Sequence, residues 1–411
     1  MLKRRAARPR RSPIEWGVRG ALAVVAAGFG YFSVAHSMAY MIRFSTPARA
    51  YALAPWDGRV TALLSEQLSG PGASAADRKR ADELARLALR QDPTAVVAVA
   101  TLGINAQTRG DTAGARRIFA YSEKLSRRDL RTRLWANEDA VVRGDIPGAL
   151  RNYDIALRTS RIAPDLLFPL LGSAINAPKI RQELVAILVK RPSWSDQFIG
   201  YVSGNGPDAR ATASLFEALH RRGVALPAGS PAALIGRLLA EGRADDAWRF
   251  YATLMPGVDR RIARDPAFTA NSVSPTQFDW QPITDSGVSA TIQRGERGGI
   301  FDFVVPPNLG GPLLRQTQLL PPGKYVIEGR SMGIEQAAGD LPYWTLTCAE
   351  GRELGRVTVP NSAEANGRFA GRFIVPAGCL VQRLLLVARP SESLSGLAGQ
   401  IDDVRLRPAG R

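Results

Sequence analysis

The sequence predicts a multidomain protein in which α-helices come first and β-strands second. Three observations support this prediction: a 23-residue stretch near the start without a charged residue, a 34-residue spacing that recurs in the middle, and short apolar runs separated by Gly and Pro towards the end. We expect a basic segment at 1–19, a transmembrane helix at 20–42, a helical-repeat domain at 43–271 and an antiparallel β-sandwich at 272–411.

The composition argues against an enzyme. The chain has 54 Lys and Arg against 37 Asp and Glu, with two histidines (His36 and His220) and two cysteines (Cys348 and Cys379). No zinc motif is present, and any Ser-His or Cys-His catalytic pair would depend on one of the two histidines. No phosphate-binding loop or dinucleotide-binding fingerprint occurs in the sequence. We expect no catalysis, no cofactor and, despite the formal charge of +17, no nucleic-acid partner.

The first 42 residues have the pattern of a membrane anchor. Residues 1–19 carry seven basic side chains against one acid, Glu15, and the uncharged stretch Gly20–Ile42 follows. As a helix this stretch extends roughly 34 Å, enough for a hydrocarbon core of about 30 Å. Because basic flanks stay in the cytoplasm, we expect the remaining chain on the periplasmic side of a bacterial inner membrane. A cleaved signal peptide is the alternative, with Ser37-Met38-Ala39 as the cleavage site.

The middle of the chain repeats with a period of 34 residues. A glycine, an alanine five positions later and an aromatic residue four positions after that occur at Gly110, Ala115 and Phe119, at Gly144, Ala149 and Tyr153, and, out of frame, at Gly242, Ala247 and Tyr251. Glycine suits the end of the first helix of each pair, where positive φ is needed. Alanine lets the second helix pack closely, and the aromatic ring fills the space between pairs.

This pattern resembles the tetratricopeptide repeat family over roughly residues 77–161 and 232–256, although the early Trp of that family is absent. The resemblance implies an α-solenoid, TPR-like in its helix pairs, whose concave face holds a partner protein or peptide. Ordinary helical hairpins without a binding role are the alternative.

From residue 272 onward, short apolar runs with turn signals every 10–15 residues predict an antiparallel β-sandwich. Cys348 ends one of the expected strands and Cys379 begins another. We therefore predict a disulfide between them, with two buried free thiols as the alternative. Strand alternation places Trp344, Leu346 and Cys348 in the core, and Tyr343 on the opposite face.

Several short motifs of this segment resemble jelly-roll carbohydrate-binding modules: Phe278–Trp280, Gln318–Tyr325, Phe373–Pro376 and Gln400–Leu406. The resemblance implies that sugar rings stack on exposed aromatic side chains. Tyr343 is the best candidate, with Trp280 and Gln336 as neighbours, and structural roles for all three are the alternative. Some similar modules bind calcium through acids of the closing strand, which raises Asp402 and Asp403 as ligands, although our expectation is that no metal is held.

These features together predict a non-catalytic periplasmic scaffold that is anchored in the inner membrane. We expect it to support the assembly or export of a cell-surface polysaccharide, with the repeats holding partner proteins and the sandwich binding the glycan. The alternative is a protein-only scaffold of a secretion or division complex of the cell envelope.

Overall fold

A computed structural model describes residues 13–271, 273–285, 287–295, 298–391 and 394–410. Within these residues the chain forms 14 α-helices followed by two antiparallel sheets of five strands each. This order confirms the predicted succession of a helical part and a β-sandwich. The chain divides into two compact units after Ala163. The later helices lie in the same unit as the sandwich, and the predicted division into domains 43–271 and 272–411 stays a prediction.

The first unit is helical. Its helices are α1 (Pro13–Ile42), α2 (Pro47–Leu53), α3 (Gly58–Leu68), α4 (Ala75–Gln91), α5 (Val96–Thr108), α6 (Thr112–Leu125), α7 (Leu130–Val142) and α8 (Ile146–Thr159). Among the described residues, α1 is the one helix long and apolar enough to cross a membrane, and it begins before the predicted span 20–42. Most of the predicted basic segment, residues 1–12, lies outside the described residues.

The 34-residue spacing is visible in the helices of the first unit. α7 and α8 begin and end 34 residues after α5 and α6, and the paired helices have 13 and 14 residues in both cases. Each turn contains a glycine with positive φ, Gly110 at +83° and Gly144 at +69°. Each is followed by an aspartate, Asp111 or Asp145, whose carboxylate accepts a hydrogen bond from the third backbone N–H after it. The two turns therefore stop and restart the helix in the same way.

The predicted small and aromatic positions lie inside these hairpins. Ala115 and Ala149 are buried. Phe119 is buried and stacks on Trp135 at 4.4 Å between ring centroids, whereas its counterpart Tyr153 is only half-buried.

The second unit contains the remaining helices and the sandwich. Its helices are α9 (Ala163–Ala174), α10 (Pro178–Leu188), α11 (Ser195–Asn205), α12 (Ala209–Arg221), α13 (Ser230–Ala240) and α14 (Ala244–Leu254). The strands are β1 (Gln281–Pro282), β2 (Ser289–Gly295), β3 (Gly298–Val305), β4 (Gly311–Gln318), β5 (Gly323–Met332), β6 (Tyr343–Cys348), β7 (Glu353–Thr358), β8 (Arg368–Val375), β9 (Gln382–Ala388) and β10 (Leu397–Pro408).

The strand order is β1-β4-β9-β6-β7 in the first sheet and β2-β3-β10-β5-β8 in the second. One hydrophobic cluster fills the space between the inner faces of the two sheets. Trp344, Leu346 and Cys348 of β6 belong to this cluster, as strand alternation predicts. Because every second side chain of a strand points outward, each sheet also has an outer face available to a ligand.

The last helix of the second unit packs against the segment that leads into the sandwich. Gly242 has positive φ and Ala247 is buried, as at the two earlier turns. Tyr251, however, packs against Phe278 at 5.2 Å between ring centroids, and its hydroxyl donates a 2.7 Å hydrogen bond to Asp279. The third predicted aromatic position therefore joins α14 to the β-sandwich segment, rather than filling the space between two helix pairs.

A buried arginine reinforces this junction. The guanidinium of Arg264 donates hydrogen bonds to the backbone carbonyls of Phe278 and Thr317 and to the side chain of Gln318. Its guanidinium carbon also lies 5.5 Å from the ring centroid of Trp248 on α14. Burial lowers the pKa of Arg264 to about 10. The hydrogen bonds offset part of the cost of removing this cation from water.

Candidate functional site

The outer face of the first sheet is the best candidate for a ligand-binding surface. Strand register places β4, β9, β6 and β7 side by side, so residues far apart in the sequence become neighbours. Its polar and aromatic side chains include Arg315, Arg356, Arg383, Arg389, Glu353 and Tyr343, and we call these six residues the cationic sheet face. Four guanidiniums against one carboxylate make the set strongly positive.

Tyr343 lies between two of these arginines in the sheet. It is half-buried at the start of β6, next to Val387 of β9 and Thr358 of β7. The guanidinium carbon of Arg356 lies 4.8 Å from the centroid of the Tyr343 ring, and that of Arg389 lies 5.1 Å from it. Both distances are within the range of cation–π interactions. Tyr343 is therefore on the outer face, as predicted, with two cations beside its ring.

Both arginines are held in place by further contacts. Arg356 donates two hydrogen bonds to the carboxylate of Glu353, at 2.6 and 2.8 Å, and hydrogen bonding to that carboxylate raises the pKa of Arg356. Arg389 donates a 3.1 Å hydrogen bond to the backbone carbonyl of Gly339. Because a guanidinium has five N–H donors, each arginine keeps donors beyond those used in these contacts.

Trp280 was predicted as a sugar-stacking neighbour, and the structure contradicts this. Its side chain is 4% exposed, packs on Trp344 and Phe268 inside the sandwich, and donates a hydrogen bond to the carbonyl of Asp265. Trp280 and Tyr343 are therefore on opposite sides of the first sheet, and one ligand cannot stack on both. Trp280 directly precedes the two-residue strand β1, which is too short for an alternation pattern to reveal the buried side.

Gln336 lies in the β5–β6 loop and lines a cavity of about 830 Å³. Its side-chain N–H donates a 2.8 Å hydrogen bond to the carbonyl of Gly396, and its side-chain oxygen accepts one from Ser391 at 2.6 Å. Its backbone N–H donates to the side chain of Asn361 at 2.8 Å. Gln336 therefore connects three loops at this end of the sandwich, a structural role that was the stated alternative to sugar binding.

The predicted disulfide between Cys348 and Cys379 is confirmed, with 5.6 Å between the two Cα atoms. These cysteines and Glu350 are also the one group of potential metal ligands found within the described residues. Because both sulfurs are in the disulfide bond, neither is a thiolate that could bind a metal ion.

Asp402 and Asp403 have arginine partners in place of a cation site. Asp402 lies 3.4 Å from the guanidinium of Arg330, and Asp403 accepts a 2.9 Å hydrogen bond from Arg405. Calcium sites gather six to eight oxygen ligands around the ion, and adjacent guanidiniums repel it. The arrangement therefore disfavours calcium at these two residues.

The sequence analysis missed the arginines of the cationic sheet face. A signal was present within β9 and just after it, where Arg383 and Arg389 are six positions apart and so share a face. The contributions of Arg315 and Arg356 depend on which strands pair and in which register. That information comes from the fold and not from the spacing of residues along one strand.

Comparison with known proteins gives structural similarities of limited extent. No protein-family model matches the chain, and no curated protein matches it. Among solved structures, the sandwich is similar to the C-terminal CBM6 of LamC from Zobellia galactanivorans, at 19% identity over 31% of this chain and 92% of that one, with a TM-score of 0.19. A carbohydrate-binding module of lichenase 5A from Cellvibrio mixtus, in complex with cellotriose, matches at 13% identity over the same shares, with a TM-score of 0.21.

The enzymatically active domain of tailspike protein 4 from bacteriophage CBA120 also matches, at 13% identity over 32% of this chain, with a TM-score of 0.23. The chain covers only 19% of the length of that domain. TM-scores this low carry no argument about function, so the function must be argued from the residues of the cationic sheet face and from the helices.

Proposed function

We propose that this protein is a membrane-anchored, non-catalytic scaffold whose sandwich binds an acidic cell-surface polysaccharide during its assembly or export. The observation that carries the proposal is the cationic sheet face, where Tyr343 lies beside Arg356 and Arg389 on the outer face of a sheet. An aromatic ring offers a stacking surface to the apolar side of a sugar ring. Guanidiniums offer paired donors to a carboxylate.

The charge of this face favours an acidic sugar over a neutral one. Two guanidiniums already lie against the ring of Tyr343, so a neutral sugar would compete with them for the stacking surface. A uronic acid avoids this competition, because its carboxylate draws the guanidiniums into charge-assisted hydrogen bonds while its ring contacts the tyrosine. Arg383 and Arg315, further along the face, add positive charge for the next residues of an extended polyanion.

The helical hairpins of the first unit are proposed to be TPR-like and to hold a partner protein. The equal lengths of the helices in α5–α6 and α7–α8 and their common glycine–aspartate turns support this part of the proposal. Stacked hairpins of one shape produce an extended surface that suits a peptide or a helix of another protein.

The location is proposed to be the periplasmic side of an inner membrane, with α1 as a retained anchor. The disulfide supports an oxidising compartment. Ala39, the last residue of the alternative cleavage site, is fully buried and packs with Ala50, Ala54 and Val60. Cleavage after Ala39 would remove one wall of that cluster, so the packing supports a helix that is kept.

Binding of polygalacturonate and of its fully methyl-esterified form tests the proposal, because the two polymers share a backbone and differ in charge. We expect the purified chain to bind the acid form in calorimetry. Arg389→Gln should weaken binding about tenfold or more, since a hydrogen bond to a charged group contributes about 1.5–3 kcal/mol. Tyr343→Leu should also weaken binding, because it removes the aromatic surface on which the sugar ring stacks. Arg372→Gln, an exposed position on β8 of the second sheet, is the matched control and should leave affinity unchanged.

Polyglutamate distinguishes a glycan site from a general polyanion surface. Equal affinity for polyglutamate and polygalacturonate, with no effect of Tyr343→Leu, would reject glycan recognition. Equal affinity for the acid and the ester would reject the preference for acidic sugars and leave glycan binding in place. No binding of any polymer by the folded chain would favour the protein-only scaffold instead.

A further inference from the structure

The last turns of α1 are covered by the two helices that follow it. Ala39 packs in a buried cluster with Ala50, Ala54 and Val60 of the α2–α3 region. The first part of α1 differs, because nearly all side chains between Trp16 and Val34 are exposed. The helix therefore has two parts, one in contact with the folded unit and one free to contact lipid.

Three contacts define how the α2–α3 region lies along α1. The ring centroid of Trp56 is 5.1 Å from that of Phe32, Asp57 is 3.5 Å from His36, and Arg59 donates a 3.4 Å hydrogen bond to the hydroxyl of Tyr40. The residue numbers rise together along α1 and along the segment that leads into α3. The start of α3 therefore runs in the same direction as α1, and the turn before it lies at the level of Phe32.

The turn Ala54–Asp57 is level with Phe32 of α1, and Phe32 precedes Ile42, the end of the predicted membrane span. At 1.5 Å per residue, Phe32 is about 15 Å from Ile42 along the helix. If the hydrocarbon core extended to Ile42, Asp57 and Arg59 would lie within it, and a charge in the core costs about 2.5–3.5 kcal/mol or more. The charged residues therefore place the outer boundary of the hydrocarbon core near Phe32.

The remaining part of α1 still suits a membrane. From Trp16 to Phe32 the helix is about 24 Å long, which is short for a core of about 30 Å. Short spans are accommodated by local thinning of the bilayer and by flanking side chains that reach the interface, as Arg19 can by extending its long side chain. Trp16 at one end and Trp56 at the other give two tryptophans at the depths where aromatic belts occur.

We infer that the α2–α3 turn lies on the outer surface of the bilayer, with Trp56 and Pro55 among the lipid headgroups beside α1. The partner of this surface is the lipid itself. Trp56 is 46% exposed and Pro55 is also exposed, so both are available for this contact. The inference rests on the proposed membrane anchoring, and it adds that the folded unit is seated on the membrane and not held away from it by a linker.

Site-directed fluorescence in vesicles tests this inference with the full chain. Because both native cysteines are in the disulfide, Trp56→Cys provides a single reactive thiol for an environment-sensitive dye. Pro55→Cys is a second variant of the same turn. Gln67→Cys, exposed near the other end of α3, is the matched control. The labelled chains are reconstituted in phosphatidylethanolamine and phosphatidylglycerol, with and without lipids that carry a spin label near the headgroup.

We expect the spin-labelled lipids to quench the dye at positions 56 and 55 severalfold more strongly than at position 67. Equal quenching at all three positions, in chains that float with the vesicles, would overturn the inference and leave membrane anchoring intact. Failure of the folded chain to float with vesicles would overturn both. Co-flotation separates the two failures because it depends on α1 and not on the turn.

Discussion

The Cys348–Cys379 disulfide should contribute a large share of the stability of the second unit. The bond joins residues 31 positions apart. Closing a loop of that length in the unfolded chain removes about 12 cal/mol/K of entropy, which corresponds to about 4 kcal/mol at 25 °C. The double variant Cys348→Ala/Cys379→Ala should therefore lose about that amount of free energy of unfolding. For a unit of this size, the melting temperature should fall by roughly 8–16 °C.

Urea unfolding, followed by near-ultraviolet circular dichroism of the buried pair Trp280 and Trp344, measures this loss in the sandwich. Either single variant should cost about as much as the double variant, because breaking either end opens the same loop. Leu380→Ala, an exposed change next to the disulfide, is the control and should stay within about 0.5 kcal/mol of the parent. A loss below about 1 kcal/mol in the double variant, with the parent fully oxidised, would refute the loop-entropy argument.

Three further substitutions test the packing of each unit by urea unfolding. Tyr251→Phe removes a hydrogen-bond donor from the half-buried carboxylate of Asp279, which keeps its two hydrogen bonds from Thr276, and should cost about 1–3 kcal/mol. Burial raises the pKa of Tyr251, so the stability of the parent should also fall as the pH rises above about 10. The variant lacks the hydroxyl and should not show this fall. Curves of unfolding free energy against pH that run parallel for parent and variant would contradict the prediction. In Arg264→Lys, the single ammonium group cannot reach the three separate acceptors of the guanidinium, and the change should cost about 2–4 kcal/mol. An unchanged free energy of unfolding would show that these acceptors do not need the guanidinium. Gly103→Ala would place a Cβ 2.7 Å from the ring of Phe119 and should cost about 1–3 kcal/mol. Gly200→Ala is the control: a Cβ there would have nothing within 4 Å, so the change should be neutral or stabilising. Equal effects of the two substitutions on the free energy of unfolding would reject the packing argument.

The parts of the fold that the sequence predicted are those with a local period. Burial of Trp344 and Leu346 follows from alternation within β6, and the repeated hairpins follow from the 34-residue offset of two glycines. The disulfide was predictable because its cysteines flank two strands that pair.

The parts that escaped prediction depend on contacts between distant segments. Tyr251 has the spacing of a repeat aromatic, yet its partners, Phe278 and Asp279, lie beyond the last helix. Trp280 has the aromatic side chain of a sugar-stacking residue, and only the packing of the two sheets reveals that it is buried. In the same way, the end of the uncharged stretch at Ile42 gives no indication that Trp56 returns to the level of Phe32.

The disulfide and the candidate binding face are coupled through the pairing of β6 and β9. Cys348 is opposite Gln382 in the register of these strands, and Tyr343 is opposite Val387, two residues before Arg389. The bond therefore fixes the end of the strand pair whose other end carries the tyrosine and its arginine. A slip of one residue would turn every side chain of a strand to the opposite face and separate Tyr343 from Arg389. Reduction should thus weaken polygalacturonate binding under conditions in which the sandwich remains folded, because the register that assembles the cationic sheet face loses its covalent restraint.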